Sequence, residues 1–175
     1  KRGYRQSAVA APIKETLAAA MVQLSFWRMG RLLVDPCCGS GTIPIEAAMI
    51  AKNIAPGLNR HFAAEEWGII PEKLWKEERK KAFGEIQHDK DIRIEAYDVN
   101  PAAIEAAKEN AAEAGVEDCI HFKRMNVSDM EAGEMSGVII TNPPYGERIG
   151  EKEEIKKIYN KFKNFLKQNP SWSLF

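Results

Sequence analysis

The sequence lacks several features that would define a function by themselves. No apolar run approaches the roughly 20 residues that a membrane-spanning helix needs, so we predict no membrane segment. The chain has only three cysteines and no Cys/His array with metal-ligand spacing, which argues against a disulfide framework and a metal site. Its 25 basic and 25 acidic residues cancel, which argues against bulk polyanion binding but leaves room for local basic patches. These absences predict a soluble, metal-free protein of the reducing cytoplasm.

What the chain does contain is a strand, a glycine-rich turn and a helix start in immediate succession. Residues 31–35 form a short apolar run that predicts a strand buried on both faces, and this run ends in Asp35. Gly39 and Gly41 then permit positive φ angles and leave room for a ligand beside the backbone. Thr42 is the predicted N-cap of the next helix. This succession predicts a nucleotide cradle at the carboxyl end of a parallel sheet.

The residues missing from this turn narrow the choice of nucleotide. A dinucleotide fingerprint requires a third glycine where the chain has Pro44, and a phosphate-binding loop requires a lysine that does not follow Gly41. A cradle without either feature suits S-adenosylmethionine, which carries no phosphate. A tight turn that binds no ligand is the alternative interpretation. The adjacent Cys37 and Cys38 are predicted to pack there as small polarizable side chains rather than as redox partners.

A second strand is predicted over residues 92–98, and it also ends in an acid. Asn100 and Pro101 predict the start of the following helix, which Gly115 closes. An acid in the position of Asp98 accepts hydrogen bonds from the ribose hydroxyls of a bound nucleoside. Helix capping is the alternative role for Asp98, but Asn100 already suits it. We therefore predict that Asp98 binds ribose.

A third strand is predicted over residues 119–127 and a fourth over residues 137–141. Asp129 follows the third strand, where an acid can accept from an adenine amino group or can be an ordinary turn aspartate. Strands that alternate with helices predict an α/β fold with a parallel sheet, formed here by one domain over residues 1–175. We expect the fourth strand to be an uncovered edge unless residues beyond Phe175 pair with it, so the chain is expected to be a fragment.

The sequence Asn142-Pro143-Pro144-Tyr145 directly follows the fourth predicted strand. The amine of a nucleobase is a poor nucleophile, and acceptors for both of its N–H groups would turn its nitrogen toward a methyl sulfonium. The Asn142 side-chain oxygen and the Pro143 carbonyl suit this task, because the prolines hold the backbone extended. Tyr145 offers a face on which an unpaired base can stack. Catalysis would be chiefly alignment, and an ordinary loop is the less favoured alternative.

The start of the chain carries a basic segment and a predicted helix. Arg2 and Arg5, placed around Tyr4, predict either a contact to a nucleic-acid backbone or a solvated terminus. Pro12 predicts a helix start, and Thr16 lies near that start with Lys14 and Glu15, where all three could meet a ligand. The core face of this helix is predicted to be Ile13, Leu17, Ala20, Met21 and Leu24.

Two further segments complete the chain. Residues 53–91 are predicted to be an insertion that contains a helix starting at Pro71. Its Arg60, His61, Phe62 and Trp67 could line a substrate mouth, although a segment packed on itself is favoured. Residues 151–168 predict an amphipathic helix whose lysines form a solvated face, with an RNA surface as the alternative. The inner side of that helix is predicted to be Ile155, Ile158, Tyr159, Phe162, Phe165 and Leu166.

Taken in order, the motifs resemble a known family. The chain is similar to class I S-adenosylmethionine-dependent methyltransferases, with a Rossmann-like parallel sheet flanked by helices. More narrowly, it resembles the RNA guanine-N2 methyltransferases that carry a THUMP RNA-binding domain before the catalytic domain. The resemblance covers nearly the whole chain and rests on Lys1-Arg2-Gly3-Tyr4-Arg5, Ala11-Pro12-Ile13-Lys14-Glu15-Thr16-Leu17, Asp35-Pro36-Cys37-Cys38-Gly39-Ser40-Gly41-Thr42, Ala55-Pro56-Gly57 and Asn142-Pro143-Pro144-Tyr145-Gly146-Glu147-Arg148.

The resemblance implies particular roles and partners. The target amine would be held by Asn142 to Tyr145, and Thr16 would reach the methionine end of the cofactor. The implied cofactor-binding residues are Thr16, Asp35, Cys37, Gly39, Gly41, Asp98, Val99, Asn126, Asp129 and Asn142. The implied substrate is RNA, ribosomal RNA of the large subunit rather than tRNA. The implied RNA-binding domain would precede Lys1, and the last strands of the seven-stranded fold would follow Phe175.

Three alternatives stay open from the residues themselves. The same tetrapeptide suits the N6 amine of adenine in DNA or RNA, or a glutamine side-chain amide. Physical chemistry alone does not separate these amines from the N2 amine of guanine. A binding module that holds RNA without turnover belongs to a different class, and a defect in the cradle or the tetrapeptide would favour it. The sequence shows no such defect.

Overall fold

The computed structural model describes residues 2–5, 12–133, 136–144 and 151–175. Within these ranges, parallel strands form one sheet in the order β3-β2-β1-β4-β5. The strands are β1 (Leu32–Asp35), β2 (Ile94–Asp98), β3 (Ile120–Arg124), β4 (Gly137–Ile139) and β5 (Ser173–Leu174). The α-helices are α1 (Glu15–Leu24), α2 (Thr42–Ala51), α3 (Glu72–Gly84), α4 (Pro101–Glu113) and α5 (Glu151–Gln168). The predicted α/β class with a parallel sheet is confirmed.

Strand β1 lies at the centre of the sheet, between β2 and β4. Leu33 pairs with Ile94 of β2 on one side and with Val138 of β4 on the other. The strand order reverses between β1 and β4, and in open α/β sheets ligands bind outside the carboxyl ends at such a switch point. The residues that follow β1, β2 and β4 therefore meet at one edge.

The prediction that β4 is an uncovered edge is wrong. Val138 pairs in parallel with Ser173 of β5, and a guanidinium nitrogen of Arg31 donates to the Gly137 carbonyl at 2.8 Å and to the Ser173 hydroxyl at 3.1 Å. A Cβ added to Gly137 would lie 2.4 Å from the Trp172 ring, so glycine lets this ring pack against β4. A strand of two residues is too short for a periodic pattern to reveal its partner.

The sheet is covered on both faces. The larger core cluster includes residues of α2 and α4, and α4 and its C-cap bury an apolar stripe: Ile104, Ala107, Ala111 and Ala114. The second cluster joins α5 to the other face through Phe162 and Phe165, which are buried as predicted. The prediction that Tyr159 lies on the inner side of α5 is wrong, because its side chain is 52% exposed. No helix in the described ranges is long and apolar enough to cross a membrane.

The predicted core face of α1 is confirmed for Ile13 and Met21, which pack against the core, and is wrong for Leu17 and Leu24. Leu17 is 54% exposed and Leu24 is 68% exposed, whereas Ala18, Ala19 and Val22 are buried. Helix α1 packs on α2, and its Ala18 and Val22 belong to the same buried core cluster as Ala47 and Ala48 of α2. The hydrophobic pattern predicted that the large residues Leu17 and Leu24 face the core, whereas the neighbouring face of the helix is the one that is buried.

The segment between α2 and β2 packs on itself, as predicted. The rings of Phe62 and Trp75 stack with centroids 5.9 Å apart. Arg79 of α3 holds the preceding loop by donating to the carbonyls of Leu58 and Arg60, both at 2.6 Å. No residue of α3 is buried. The segment is therefore a satellite layer held by loop contacts rather than by the main core.

Candidate functional site

Asp35 ends β1 and is fully enclosed by the protein. Its Oδ1 accepts a hydrogen bond from the Thr141 hydroxyl at 2.8 Å and another from the Cys37 N–H at 3.2 Å. Burial is the main cause that raises the pKa of Asp35 to about 7, and the nearby charge of Asp98 raises it further against the effect of these hydrogen bonds. Asp35 thus connects the start of the glycine turn to the end of β4.

The glycine turn packs closely against helix α4. Gly39 and Gly41 have φ angles of +53° and +82°, and a Cβ on Gly41 would lie 3.0 Å from the Cβ of Ala107. The side-chain amide of the buried Asn110 donates to the carbonyl of Ser40 at 3.1 Å. Thr42 is not the N-cap, because Gly41 holds that position in a left-handed conformation and leaves Thr42 as the first helical residue.

Asp98 ends β2 and reaches across to the glycine turn. Its Oδ2 accepts from the Gly39 N–H at 3.0 Å, and its Oδ1 accepts from the Asn100 N–H at 2.9 Å. Asn100 is the N-cap of α4, as predicted, and its side chain accepts from the Ala102 N–H at 3.0 Å. The half-buried carboxylate of Asp98 therefore stands beside the turn and not inside the helix cap.

The other predicted cofactor-binding residues after β2 and β3 continue along the same edge. Val99 is exposed and its carbonyl accepts from Arg124, the last residue of β3. The predicted third strand ends early, because Asn126 caps a 3-10 helix, Val127–Asp129, by accepting from the Ser128 N–H. Asp129 is exposed and accepts from the Ser128 hydroxyl. Strand β2 lies between β1 and β3, so Asn126 and Asp129, which follow β3, lie on the far side of Asp98 from the glycine turn.

The predicted amine-binding loop begins directly after Thr141. Asn142 and Pro143 are half-buried and Pro144 is exposed. Tyr145 lies outside the described residues. Because Thr141 is bonded to Asp35, Asn142 starts from a fixed point next to the glycine turn. The structure thus brings together Asp35 at the end of β1, Asp98 at the end of β2 and Asn142 in the loop after β4.

The basic segment at the start of the chain has a role that both sequence interpretations missed. Arg2 donates two hydrogen bonds to the Glu46 carboxylate, both at 3.1 Å, and the buried Tyr4 hydroxyl donates to the same group at 3.0 Å. Arg5 donates to the Thr42 hydroxyl at 2.9 Å. The segment is neither solvated nor free for nucleic acid at these side chains. The one acid in the apolar sequence of α2, Glu46, was the feature from which a buried basic or hydroxyl partner could have been predicted.

This segment also forms one side of a cleft next to α1. The cleft has a volume of about 190 Å³, and Thr16, Glu15, Arg2, Arg60 and Phe62 contribute to its walls. Thr16 is exposed there, near the start of α1. Among the described residues, no group of three or more His, Cys, Asp or Glu side chains could hold a metal ion.

Comparison with known proteins identifies the family. The family model described as RMKL-like, methyltransferase domain, matches residues 2–174. YpsC of Bacillus subtilis, named as a candidate RNA methyltransferase, is 47% identical over 175 residues, which are 100% of this chain and 46% of YpsC. The ribosomal RNA large subunit methyltransferase K/L of Syntrophotalea carbinolica is 40% identical over 177 residues, covering 91% of this chain and 24% of that protein.

Solved structures agree with this assignment. SMU.472, named as a candidate methyltransferase and crystallised with SAH, has a TM-score of 0.91 and 42% identity over 99% of this chain and 45% of that one. A Listeria monocytogenes protein, named by prediction as an N6-adenine-specific DNA methylase, has a TM-score of 0.93 and 45% identity over 99% and 46% of the two chains. The chain spans about half the length of these relatives, or less. It belongs to the RMKL-like methyltransferase domain family.

Proposed function

We propose that the protein transfers a methyl group from S-adenosylmethionine to the exocyclic N2 amine of a guanine in RNA. The observation that carries the proposal is the meeting at one edge of the sheet of Asp35 and Asp98, which end β1 and β2, with Asn142 in the loop after β4. The names of the relatives support RNA as the substrate, and ribosomal RNA of the large subunit in particular. We place this reaction in the cytoplasm.

The residues at the glycine turn fit S-adenosylmethionine. A Cβ on Gly41 would crowd the turn, the hydroxyl of Ser40 is buried without a hydrogen-bond partner among the described residues, and the carboxylate of Asp98 stands beside the turn. The cofactor, when bound, supplies an electrophilic methyl group on a sulfonium. Asp98 would hold its ribose, Asp129 its adenine, and Thr16 its methionine end. The SAH found in SMU.472, which is the demethylated form of this cofactor, supports the same choice.

Asn142 and Pro143 would hold and orient the target amine. Its lone pair is delocalised into the base, so attack requires both N–H groups to be bound by acceptors that keep the nitrogen in line. The Asn142 side-chain oxygen and the Pro143 carbonyl are those acceptors, and Pro144 fixes the extended backbone that presents them. Tyr145 would stack on the base. Alignment, rather than a strong general base, would supply most of the acceleration.

The test is methyl transfer from labelled S-adenosylmethionine, using the purified full-length protein. Unmodified ribosomal RNA, tRNA, DNA and protein serve as substrates, and the products are digested to nucleosides or amino acids. Label in N2-methylguanosine from large-subunit RNA is the expected result. Label in N6-methyladenine, the base in the name of the Listeria relative, or in methylglutamine would overturn the guanine assignment. Bound cofactor without any transfer would indicate a binding module instead.

A further inference from the structure

The α1 side of the cleft is held next to the glycine turn, because Arg5 donates to the Ile13 carbonyl, just before α1, and to the Thr42 hydroxyl, at the start of α2. Thr16 and Glu15 form its α1 side, and Arg60 and Phe62 form its other side. The wall residue Arg2 is anchored to Glu46, one turn into the helix that starts at the glycine turn. A strand of RNA that delivers a base to Asn142, beside the glycine turn, would pass near this cleft.

The Phe62 ring, which lines the cleft, is held in place by contacts within the protein. A Cβ on Gly57 would lie 2.4 Å from the Phe62 ring, so this glycine allows the ring to seat against the turn. The Phe62 N–H donates to the Glu65 carboxylate at 2.8 Å, and its ring stacks on Trp75. These contacts fix the ring without any ligand, which lowers the entropy cost of binding one.

Arg60 is the uncompensated charge of this cleft. Its guanidinium carbon lies 4.2 Å from the centre of the Phe62 ring, and it has no carboxylate partner in the described part of the chain. The other charges nearby are matched, since Arg2 pairs with Glu46 and Glu15 lies 3.8 Å from Arg5. An arginine stacked on a fixed ring presents its planar donors in one orientation, which suits the oxygens of a phosphate.

We propose that this cleft binds a backbone phosphate of the substrate RNA, with Arg60 as its ligand and Phe62 as the platform that orients the guanidinium. The inference rests on the proposed function, because it requires that an RNA strand deliver the target base next to the glycine turn. It assigns to the segment between α2 and β2 a part in substrate binding, in addition to its packing on itself.

The test compares two exposed cations of that segment in the full-length protein. Arg60→Ala removes the proposed phosphate ligand, and Lys80→Ala in α3 removes an equal charge from a site outside the cleft. Fluorescence anisotropy with a labelled single-stranded RNA, at several salt concentrations, measures RNA affinity. Calorimetry with S-adenosylhomocysteine measures cofactor affinity and reports whether each variant is folded.

We expect Arg60→Ala to weaken RNA binding about tenfold and to reduce the salt slope by about one, as for the loss of one phosphate contact. Cofactor affinity should be unchanged, Lys80→Ala should bind RNA normally, and Arg60→Lys should recover part of the loss. Equal RNA affinity for the two alanine variants would overturn the inference. So would parallel losses of RNA and cofactor affinity in Arg60→Ala. An Arg60→Ala variant that loses affinity for a polyglutamate peptide but keeps its affinity for RNA would also overturn the inference.

The inference and the proposed function fail in different ways. RNA binding that depends on Arg60, combined with methyl transfer only to another substrate, would retain the phosphate site and reject the RNA methylation. A wild-type protein that binds no RNA at low salt would reject both.

Discussion

The hydroxyl of Thr141 donates a 2.8 Å hydrogen bond to the carboxylate of Asp35, 106 positions earlier in the chain. Both side chains are buried at the switch point of the sheet, where Asp35 ends β1 and Thr141 follows the end of β4. Asp35 also accepts from the Cys37 N–H at the start of the glycine turn. This bond therefore ties the proposed cofactor cradle to the residue that precedes Asn142.

Replacing Thr141 by valine should destabilise the fold. Valine has nearly the same shape but no hydroxyl, so Asp35 would lose a donor inside the protein, at a cost of about 1–3 kcal/mol in the free energy of unfolding. Urea titration of both variants measures this loss, and Thr141→Ser is the control because it keeps the donor. Equal midpoints for the valine and serine variants would show that the hydrogen bond does not contribute.

Asp35 should make the protein less stable as pH rises. Burial raises the pKa of its carboxyl from 3.8 to about 7 in the folded state, so between these values the folded chain holds a proton that the unfolded chain has released. The free energy of unfolding then falls across that window and levels off above it. Asp35→Asn cannot ionise and keeps the acceptor oxygen.

Urea titrations of wild type and Asp35→Asn across pH 4 to pH 8 check this dependence. The stability difference should shift in favour of the variant by up to about 4 kcal/mol as pH rises. Burial also raises the pKa of Glu46, but that group is present in both proteins, so its effect cancels. Parallel stability curves would contradict the prediction.

Asp98→Ala should weaken binding of S-adenosylhomocysteine by on the order of 2–4 kcal/mol. Two ribose hydrogen bonds to a charged acceptor would be lost, and the Gly39 N–H would lose the acceptor that holds the turn. Calorimetry measures the change, with Asp91→Ala as a control acid before the opposite end of β2. Unchanged affinity would remove Asp98 from the site.

Gly41→Ala should destabilise the fold by about 1–3 kcal/mol. The alanine would have to adopt a φ of +82° and would meet Ala107 of α4 at 3.0 Å. Gly84→Ala is the matched control, because a Cβ there meets open space. Thermal unfolding compares them, and equal melting temperatures would show that the turn tolerates a side chain.

The ends of β1 and β2 could be placed from the sequence because each combines an apolar run with an abrupt change to acid, glycine or proline, whereas β4 ends at Ile139, two residues before its predicted end. The parallel arrangement then follows from the alternation of strands and helices. The positions of Asp35, Asp98 and Asn142 at one edge are confirmed by the strand order. Their roles toward a cofactor and a base stay predictions.

Features set by tertiary contacts could not be predicted in this way. The face that α1 buries depends on how closely Ala18 and Val22 approach α2. The bond between Arg2 and Glu46 joins residues 44 positions apart, and no local pattern specifies it. Strand β5 has only two residues, so its pairing with β4 is visible only in the folded chain.

The most direct test of the site is the separation of binding from turnover in Asn142→Ala. If β1 and β2 hold the cofactor and the loop after β4 holds the amine, this variant should bind S-adenosylhomocysteine with wild-type affinity. Its kcat for RNA methylation should fall by about a hundredfold or more, because the amine is no longer aligned. Equal losses of cofactor affinity and turnover would mean that Asn142 supports the fold or the cofactor, and unchanged turnover would mean that it does not bind the target amine.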